Sequence, residues 1–469
     1  MKKLLTTALF ILSCMATTFA QQHPVVGTWN GALSIGGTKL RLVFNISNTQ
    51  DGTLTATMDS PDQGAKGIPV SETRLVNDSL YLSIKAIGGS YAGKVTSPTT
   101  IDGHLKQAGM TMQIPLSKGE AAKANRPQEP TKPYPYLERE VTVENKAAGI
   151  KLAGTLTLPQ NPKAPVPGVV LISGSGPQDR DQTIMGHKPF LVLADHLTRQ
   201  GFAVLRLDDR GIGKSEGNFG TATTQDFTTD IEAAYTYLRG LAEVNPQKVG
   251  LTGHSEGALV AAKVAAQNPE VAFVVLMAGS AVPGAELLAS QNEALLKTAG
   301  IPQEQLQKYL QLRKAQFQVA ATENDLQQAA EKIRQLEQDT KAGLTAHEQK
   351  QLGLNAQSEQ AIVSQLSTPW MRYFLAYDPA PTLRKLRMPV LAIHGTKDLQ
   401  VLHSQNLAAT EQALKAAGNK KYTVKELPGL NHLFQTAGTG SPVEYGDLEE
   451  TIAPAALTYM TSWMVKAVR

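Results

Sequence analysis

A chain of 469 residues, 42% of them hydrophobic and 18% charged, has room for two or three domains of about 100–200 residues each and is too apolar for wholesale disorder. Forty-five Lys and Arg against 41 Asp and Glu leave a balance of +4, or 43 − 41 = +2 without Lys2 and Lys3. So small an excess excludes a basic tract for nucleic acid or an anionic membrane, and the single cysteine, Cys14, excludes an intrachain disulfide and a cysteine-rich zinc site.

Residues 1–20 have the three parts of an export signal. Lys2 and Lys3 precede an apolar run from Leu4 to about Met15, and Thr18 and Ala20 supply small residues at the −3 and −1 positions. Cleavage after Ala20 and a periplasmic protein are predicted. The run is shorter than the ~20 residues a membrane span needs, so no transmembrane helix is expected in the mature form. Ile11-Leu12-Ser13-Cys14 loosely resembles a lipobox, and a lipoprotein anchored through Cys14 is the alternative.

From residue 24 to residue 117 apolar residues alternate with polar ones. Leu40, Leu42, Phe44 and Ile46 share one face, as do Leu80, Leu82 and Ile84, and Met110, Met112, Ile114 and Leu116 repeat the pattern. Clusters of Gly, Asn and Asp separate these runs, which read as seven or eight short antiparallel strands forming a small all-β barrel or sandwich. Gly27-Thr28-Trp29-Asn30-Gly31 resembles the first strand of lipocalin-like domains. The module carries no catalytic cluster, and a structural or docking role is expected before ligand storage, since small barrels are often filled by their own side chains. Residues 118–137, with Pro127, Pro130, Pro133 and Pro135, predict a semi-extended linker.

Strand-like and helical runs alternate over 138–469. A hairpin spans Glu140 to Leu158, and apolar runs follow at Gly168–Ile172, Ala203–Leu207, Val249–Thr252, Val271–Met277, Pro389–Ile393 and Tyr422–Leu427. Such runs separated by helices predict a mostly parallel sheet covered on both faces. Residues 283–368 break the rhythm. Rich in Gln, Glu, Lys and Ala, with Leu306, Leu310, Leu326, Ile333 and Leu336 at helical spacing, they predict an inserted set of amphipathic helices.

Within this region Gly253-His254-Ser255-Glu256-Gly257 fits G-x-S-x-G. The bare string says little, but an apolar strand leads in and an Ala-rich helix leads out, as a nucleophile elbow requires. A serine hydroxyl needs a base, and the base an orienting acid. Asp398 follows the apolar run Val390–Ile393, and His432 lies 34 residues further on, in Pro428-Gly429-Leu430-Asn431-His432. The expectation is Ser255 as nucleophile, His432 as general base and acid, and Asp398 as the orienting carboxylate, with Glu426 and Asp447 as fallback acids. The oxyanion needs two donors: the N–H of Glu256 and one from Ser173-Gly174-Ser175-Gly176-Pro177, assigned to Ser175. Gly213-Lys214-Ser215 ends like a phosphate-binding loop, but Asp208 stands where that loop needs glycine. No metal-binding arrangement of histidines is present and the chemistry needs no cofactor.

From about Tyr136 to Arg469 the chain resembles the α/β-hydrolase fold, and is similar to exported bacterial esterases of the group that includes serine aminopeptidase-like hydrolases. Ser173 to Asp181, His187 to Leu197 and Leu205 to Gly217 carry the resemblance beside the elbow. It implies an eight-stranded sheet, a helical lid made of residues 283–368, and structural roles for Asp209 and Arg210. Ser173 departs from the pattern, since many members carry histidine there. The activity implied is cleavage of small carboxylic esters through an acyl-enzyme. The alternative is an aminopeptidase-like hydrolase of short peptides, for which Glu256, Glu286 or Glu293 could hold the substrate ammonium. A non-catalytic binding protein is a third reading.

Overall fold

The computed structural model describes residues 23–35, 38–49, 51–61, 65–107, 110–119, 125–298 and 300–469. The expected export signal, Cys14 and residues 120–124 of the expected linker lie outside them. The described residues fall into two compact units, one before residue 122 and one after residue 123.

In the first unit the alternating pattern becomes ten strands: β1 (Gly27–Ile35), β2 (Thr38–Asn48), β3 (Leu54–Ser60), β4 (Ala65–Pro69), β5 (Glu72–Val76), β6 (Ser79–Ile84), β7 (Gly89–Ser97), β8 (Thr100–Gln107), β9 (Met110–Gln113) and β10 (Leu116–Lys118). They form one antiparallel sheet in the order β4-β3-β2-β1-β10-β8-β7-β6-β5, with β9 also on β8. Trp29, Phe44, Leu80, Leu82, Tyr91 and Ile101 are buried on one face, as period-2 alternation requires. Two features differ from the expectation. The run from Met110 to Leu116 is two strands, because Pro115 has no N–H to give a ladder; both pieces pair with β8 on either side of the break. The second is how the two ends of the sheet meet. The end strands β4 and β5 are five residues each, and the chain passes between them through Val70, whose N–H bonds to Ala56, and Ser71, whose N–H bonds to Ser83.

In the second unit Arg126 donates to the carbonyls of Gly446 (2.8 Å) and Leu448 (2.7 Å), and Gln128 Nε2 to that of Ile452 (2.6 Å). The proline-rich segment is thus strapped onto the unit's C-terminal part. Eight strands follow: β11 (Tyr136–Asn145), β12 (Ile150–Pro159), β13 (Val166–Ile172), β14 (Ala203–Leu207), β15 (Val244–His254), β16 (Val274–Met277), β17 (Val390–Gly395) and β18 (Tyr422–Leu427). Their order is β11-β12-β14-β13-β15-β16-β17-β18; β11 and β12 pair antiparallel and the remaining six parallel. Helices α1 (Pro189–Arg199), α2 (Thr224–Arg239) and α3 (Glu256–Gln267) connect its first half. Successive residues of one strand enter opposite cores. Val170 and Ile172 pack with Ile231 and Tyr235 of α2 and Ala258 and Ala262 of α3, whereas Val169 and Leu171 pack with Phe190 and Leu193 of α1. Both faces are buried, which is why these strands read as continuous apolar runs.

Between β16 and β17 lie α4 (Gly284–Thr298), α5 (Gln303–Thr322), α6 (Leu326–Ala342), α7 (Ala346–Gln351), α8 (Ala356–Leu366) and α9 (Pro369–Ala376). Short polar residues start the last four: Asp325, Thr345, Asn355 and Thr368 each accept a backbone N–H of the first turn. The helical segment runs past the expected limit at Thr368, because Pro369 occupies the first position of α9, where a missing N–H costs nothing. Helices α10 (Ala380–Leu383), α11 (His403–Ala416) and α12 (Pro454–Ala467) complete the unit, and α12 packs Leu457, Met460 and Met464 on the α1 face.

Candidate active site

Strand β15 ends at His254 and α3 begins at Glu256, so Ser255 alone makes the turn. It does so at φ 55°, ψ −118°, a region that non-glycine residues occupy at a cost of about 1–3 kcal/mol and that persists only where the surroundings enforce it. They do here. The Ser255 N–H donates to the Met277 carbonyl (2.8 Å) and its carbonyl accepts from Ala258 (3.0 Å). A Cβ on Gly253 would stand 2.0 Å from the Gly257 carbonyl oxygen, and one on Gly257 would stand 2.2 Å from that of Ile172. Strand, turn and helix are therefore in backbone contact, and the two glycines of the motif are a steric requirement.

Ser255 opens into a cavity of about 70 Å³ with Ser175 and Glu256, walled by Leu259, Leu287, Trp370 and Phe374 among others. Gly174 lies directly against the turn, its missing Cβ 3.3 Å from that of Ser255. The loop expected to supply the second oxyanion donor thus borders the same space as the serine. Ser173, at its start, donates its hydroxyl to Asp209 Oδ1 (2.7 Å), and the N–H of Gln178, beyond its end, donates to Asp209 Oδ2 (2.9 Å).

Asp398 and His432 are brought together. Nδ1 of His432 donates to Asp398 Oδ2 at 2.8 Å, and Oδ1 accepts the N–H groups of Gln400 (2.8 Å) and Val401 (2.9 Å). Both residues are buried. Burial alone would raise the carboxyl pKa, but His432 and the Val401 N–H hold it below the usual carboxylate value. Among the described residues no hydrogen bond joins the Ser255 hydroxyl to His432. The neighbour of both is His254, whose ring centroid lies 4.7 Å from that of His432. His254 Nε2 donates to the His432 carbonyl (2.9 Å) and its Nδ1 accepts from Gln182 (2.8 Å). Burial and the facing His432 push its pKa down to about 3, so it remains the neutral tautomer those two bonds require. Asn431 Oδ1 accepts the N–H groups of Leu433 (3.0 Å) and Gln435 (2.9 Å), which fixes the loop that carries His432. Of the fallback acids, Glu426 pairs with His403 at 3.1 Å and Asp447 is exposed.

The Glu256 side chain is buried. Its Oε1 accepts from Thr224 (2.6 Å) and from the indole of Trp370 (2.8 Å), and burial raises its pKa against those two bonds, favouring the neutral acid. His254, Gln182, Thr224 and Trp370 were not readable as site residues. His254 alone left a trace, as the variable residue before the serine of the motif.

A family model described as serine aminopeptidase, S33, matches residues 188–436, a stretch that contains Ser255, Asp398 and His432. Esterase EstD of Thermotoga maritima is 26% identical over 341 residues, 71% of this chain and 69% of its own. An uncharacterised protein of Mycobacterium tuberculosis is 32% identical over 137 residues, 29% of this chain and 44% of its own. Among solved structures, a Pyrococcus furiosus esterase aligns over 75% of this chain and 100% of its own at 14% identity and a TM-score of 0.44. Est1E of Butyrivibrio proteoclasticus, with ferulic acid bound, covers 70% of this chain and 99% of its own at 18% identity and a TM-score of 0.40. With more than half of its length matched by the family model, the chain belongs to the serine aminopeptidase S33 family of hydrolases.

Proposed function

We propose that this protein is an exported serine hydrolase that cleaves carboxylic esters through Ser255, His432 and Asp398, with residues 284–376 as a lid over the site. Ser255 Oγ attacks the ester carbonyl carbon and its proton passes to His432 Nε2. Asp398 stabilises the imidazolium, and the N–H groups of Glu256 and Ser175 receive the oxyanion. The C–O bond to the alcohol then breaks, and the alkoxide leaves with the proton from His432. A water, deprotonated by His432, attacks the acyl-enzyme and releases the carboxylic acid and free Ser255. EstD, the relative that aligns over most of its length, is an esterase by name.

The observation that carries the ester reading over an aminopeptidase is the state of Glu256. It is the one acid among the described residues lining the Ser255 cavity, it is buried, and Thr224 and Trp370 both donate to its Oε1. A substrate ammonium would need that carboxylate charged and free. Glu286 accepts from Gln405 (2.7 Å) and Glu293 pairs with Lys297 (2.6 Å), and neither is among the described residues lining the Ser255 cavity. The apolar wall fits an acyl or aryl group instead. The test compares p-nitrophenyl esters from acetyl to decanoyl with aminoacyl p-nitroanilides, for the protein and for Ser255→Ala. Serine-dependent turnover of the esters is expected. Faster turnover of the anilides would overturn the ester reading in favour of the peptidase, and a fluorophosphonate that left Ser255 unlabelled would overturn both.

A further inference from the structure

Helices α4, α5, α8 and α9 line a second pocket, of about 310 Å³ and open to one side. It shares Leu288 and Gln291 of α4 with the Ser255 cavity, so the two spaces adjoin along one helix. Phe317, Leu366 and Met371 give it an apolar wall, and Arg313 is the one charged side chain among the described residues lining it. Arg313 is only 7% exposed. A guanidinium has five N–H donors, and among the described residues these make a single hydrogen bond, from Nη1 to Gln316 Oε1 (2.6 Å). The group lies over the ring of Tyr309, 4.7 Å from its centroid, which holds the planar fork in one orientation.

The buried Glu337 accounts for the charge of this arginine but not for its donors. The Glu337 carboxylate is 3.8 Å from Arg313 Nη1, beyond hydrogen-bond reach, while Lys341 pairs with its other oxygen at 3.1 Å. The remaining donors have no protein acceptor among the described residues, and a planar, oriented guanidinium in the wall of a pocket is the usual receptor for a carboxylate. Lys341 is shared with Glu359 (3.2 Å), so Arg313, Lys341, Glu337 and Glu359 cancel in charge, and a singly charged carboxylate adds less unbalanced charge than a phosphate dianion.

We infer that this cavity is a subsite for the far end of the substrate, and that the favoured substrates are esters carrying a carboxylate several carbons from the scissile bond. The inference rests on the ester reading above. Arg313 is then a specificity-determining residue, well away from the reacting atoms.

The experiment measures kcat/KM for mono-p-nitrophenyl esters of the straight-chain diacids from succinic to sebacic, each against the neutral p-nitrophenyl ester of equal length. The alcohol side is covered by 6-acetoxyhexanoate against hexyl acetate. For at least one pair the charged ester should lead by tenfold or more. Arg313→Gln should bring that ratio to near one, and Arg313→Lys should restore part of it, since the charge returns without the fork. Fluorophosphonate labelling of Ser255 reports that each variant is folded. Ratios at or below one for every pair in the unaltered protein would overturn the subsite while neutral-ester turnover left the ester reading standing. Equal losses on charged and neutral esters in Arg313→Gln would make the residue structural and likewise overturn it. If the unaltered protein cleaved no ester at all, the ester reading would fall and the subsite with it.

Discussion

The substitution Asp398→Asn tests the proposed mechanism at the point where the geometry is tightest. Oδ1 of Asp398 accepts two backbone N–H groups, from Gln400 and Val401, and Oδ2 accepts Nδ1–H of His432. An asparagine has one acceptor oxygen and one NH₂ group. If the oxygen stays with the backbone donors, the NH₂ faces His432 Nδ1, and the ring proton must sit on Nε2, the atom required to take the Ser255 proton. If the amide flips, the productive tautomer returns but the buried Val401 N–H loses its acceptor, at about 1–3 kcal/mol. Either way the negative charge beside the imidazolium is gone, and a hydrogen bond to a charged group contributes about 1.5–3 kcal/mol. The sum is about 2.5–6 kcal/mol, and at about 1.4 kcal/mol per decade that predicts a 10²- to 10⁴-fold fall in kcat. The assay is p-nitrophenyl butyrate hydrolysis under saturating substrate, with thermal melting to show the variant folded. A folded Asp398→Asn enzyme within tenfold of the unaltered protein would refute the assignment of the acid.

Two further outcomes follow from backbone packing and from burial. Gly257→Ala places a methyl 2.2 Å from the Ile172 carbonyl oxygen and 2.5 Å from that of Ser173; overpacking of this kind costs about 1–3 kcal/mol or more, so urea denaturation should show a clear loss of stability, and an unchanged midpoint would contradict the backbone contact. Burial pushes the Asp209 carboxyl up from 3.8 to about 7 against its bonds from Ser173 and Gln178. Between about pH 4 and 7 the folded chain therefore keeps a proton the unfolded chain has lost, and this group's contribution to stability falls as pH rises, by at most about 1.4 kcal/mol per pH unit. The stability of Asp209→Asn relative to the unaltered protein should climb over pH 5 to 7 and level off above; a difference that is flat with pH would sink the argument.

Ser255, Asp398 and His432 could be picked out as candidates because each follows a strand, where a turn must come. The strand is a local signal, and the glycines around Ser255 mark how tightly that turn packs. Their supporting groups carry no such signal. Gln182 reaches His254 across 72 residues and Trp370 reaches Glu256 across 114; in sequence each is an ordinary polar or aromatic residue. Glutamates such as Glu256 were legible as possible ammonium partners, yet what decides their chemistry is burial and who bonds to them. The prolines had the same ambiguity. Pro115 splits a run of regular alternation, whereas Pro369 begins a helix, and only the hydrogen bonds around each distinguish a break from a start.

The same distinction explains why Arg313 was invisible. In a segment rich in Gln, Glu and Lys, an arginine at helical spacing reads as part of a solvated face, and most of its neighbours in α5 and α6 are partly exposed or exposed. Packing of α5 against α6 and α8 instead buries Arg313, Gln316 and Glu337 together. Burying such groups costs free energy that apolar residues of similar size would not cost, so the place of Arg313 in the wall of a pocket adjoining Ser255 calls for a reason beyond holding the helices together. Stability would be served as well or better by leucine there. A fork-shaped donor with unfilled valences is useful only when something with matching acceptors comes to it. If Ser255 is the nucleophile proposed above, selectivity among esters falls to the helices α4–α9, where Arg313 is the one charged side chain among the described residues lining the adjoining pocket.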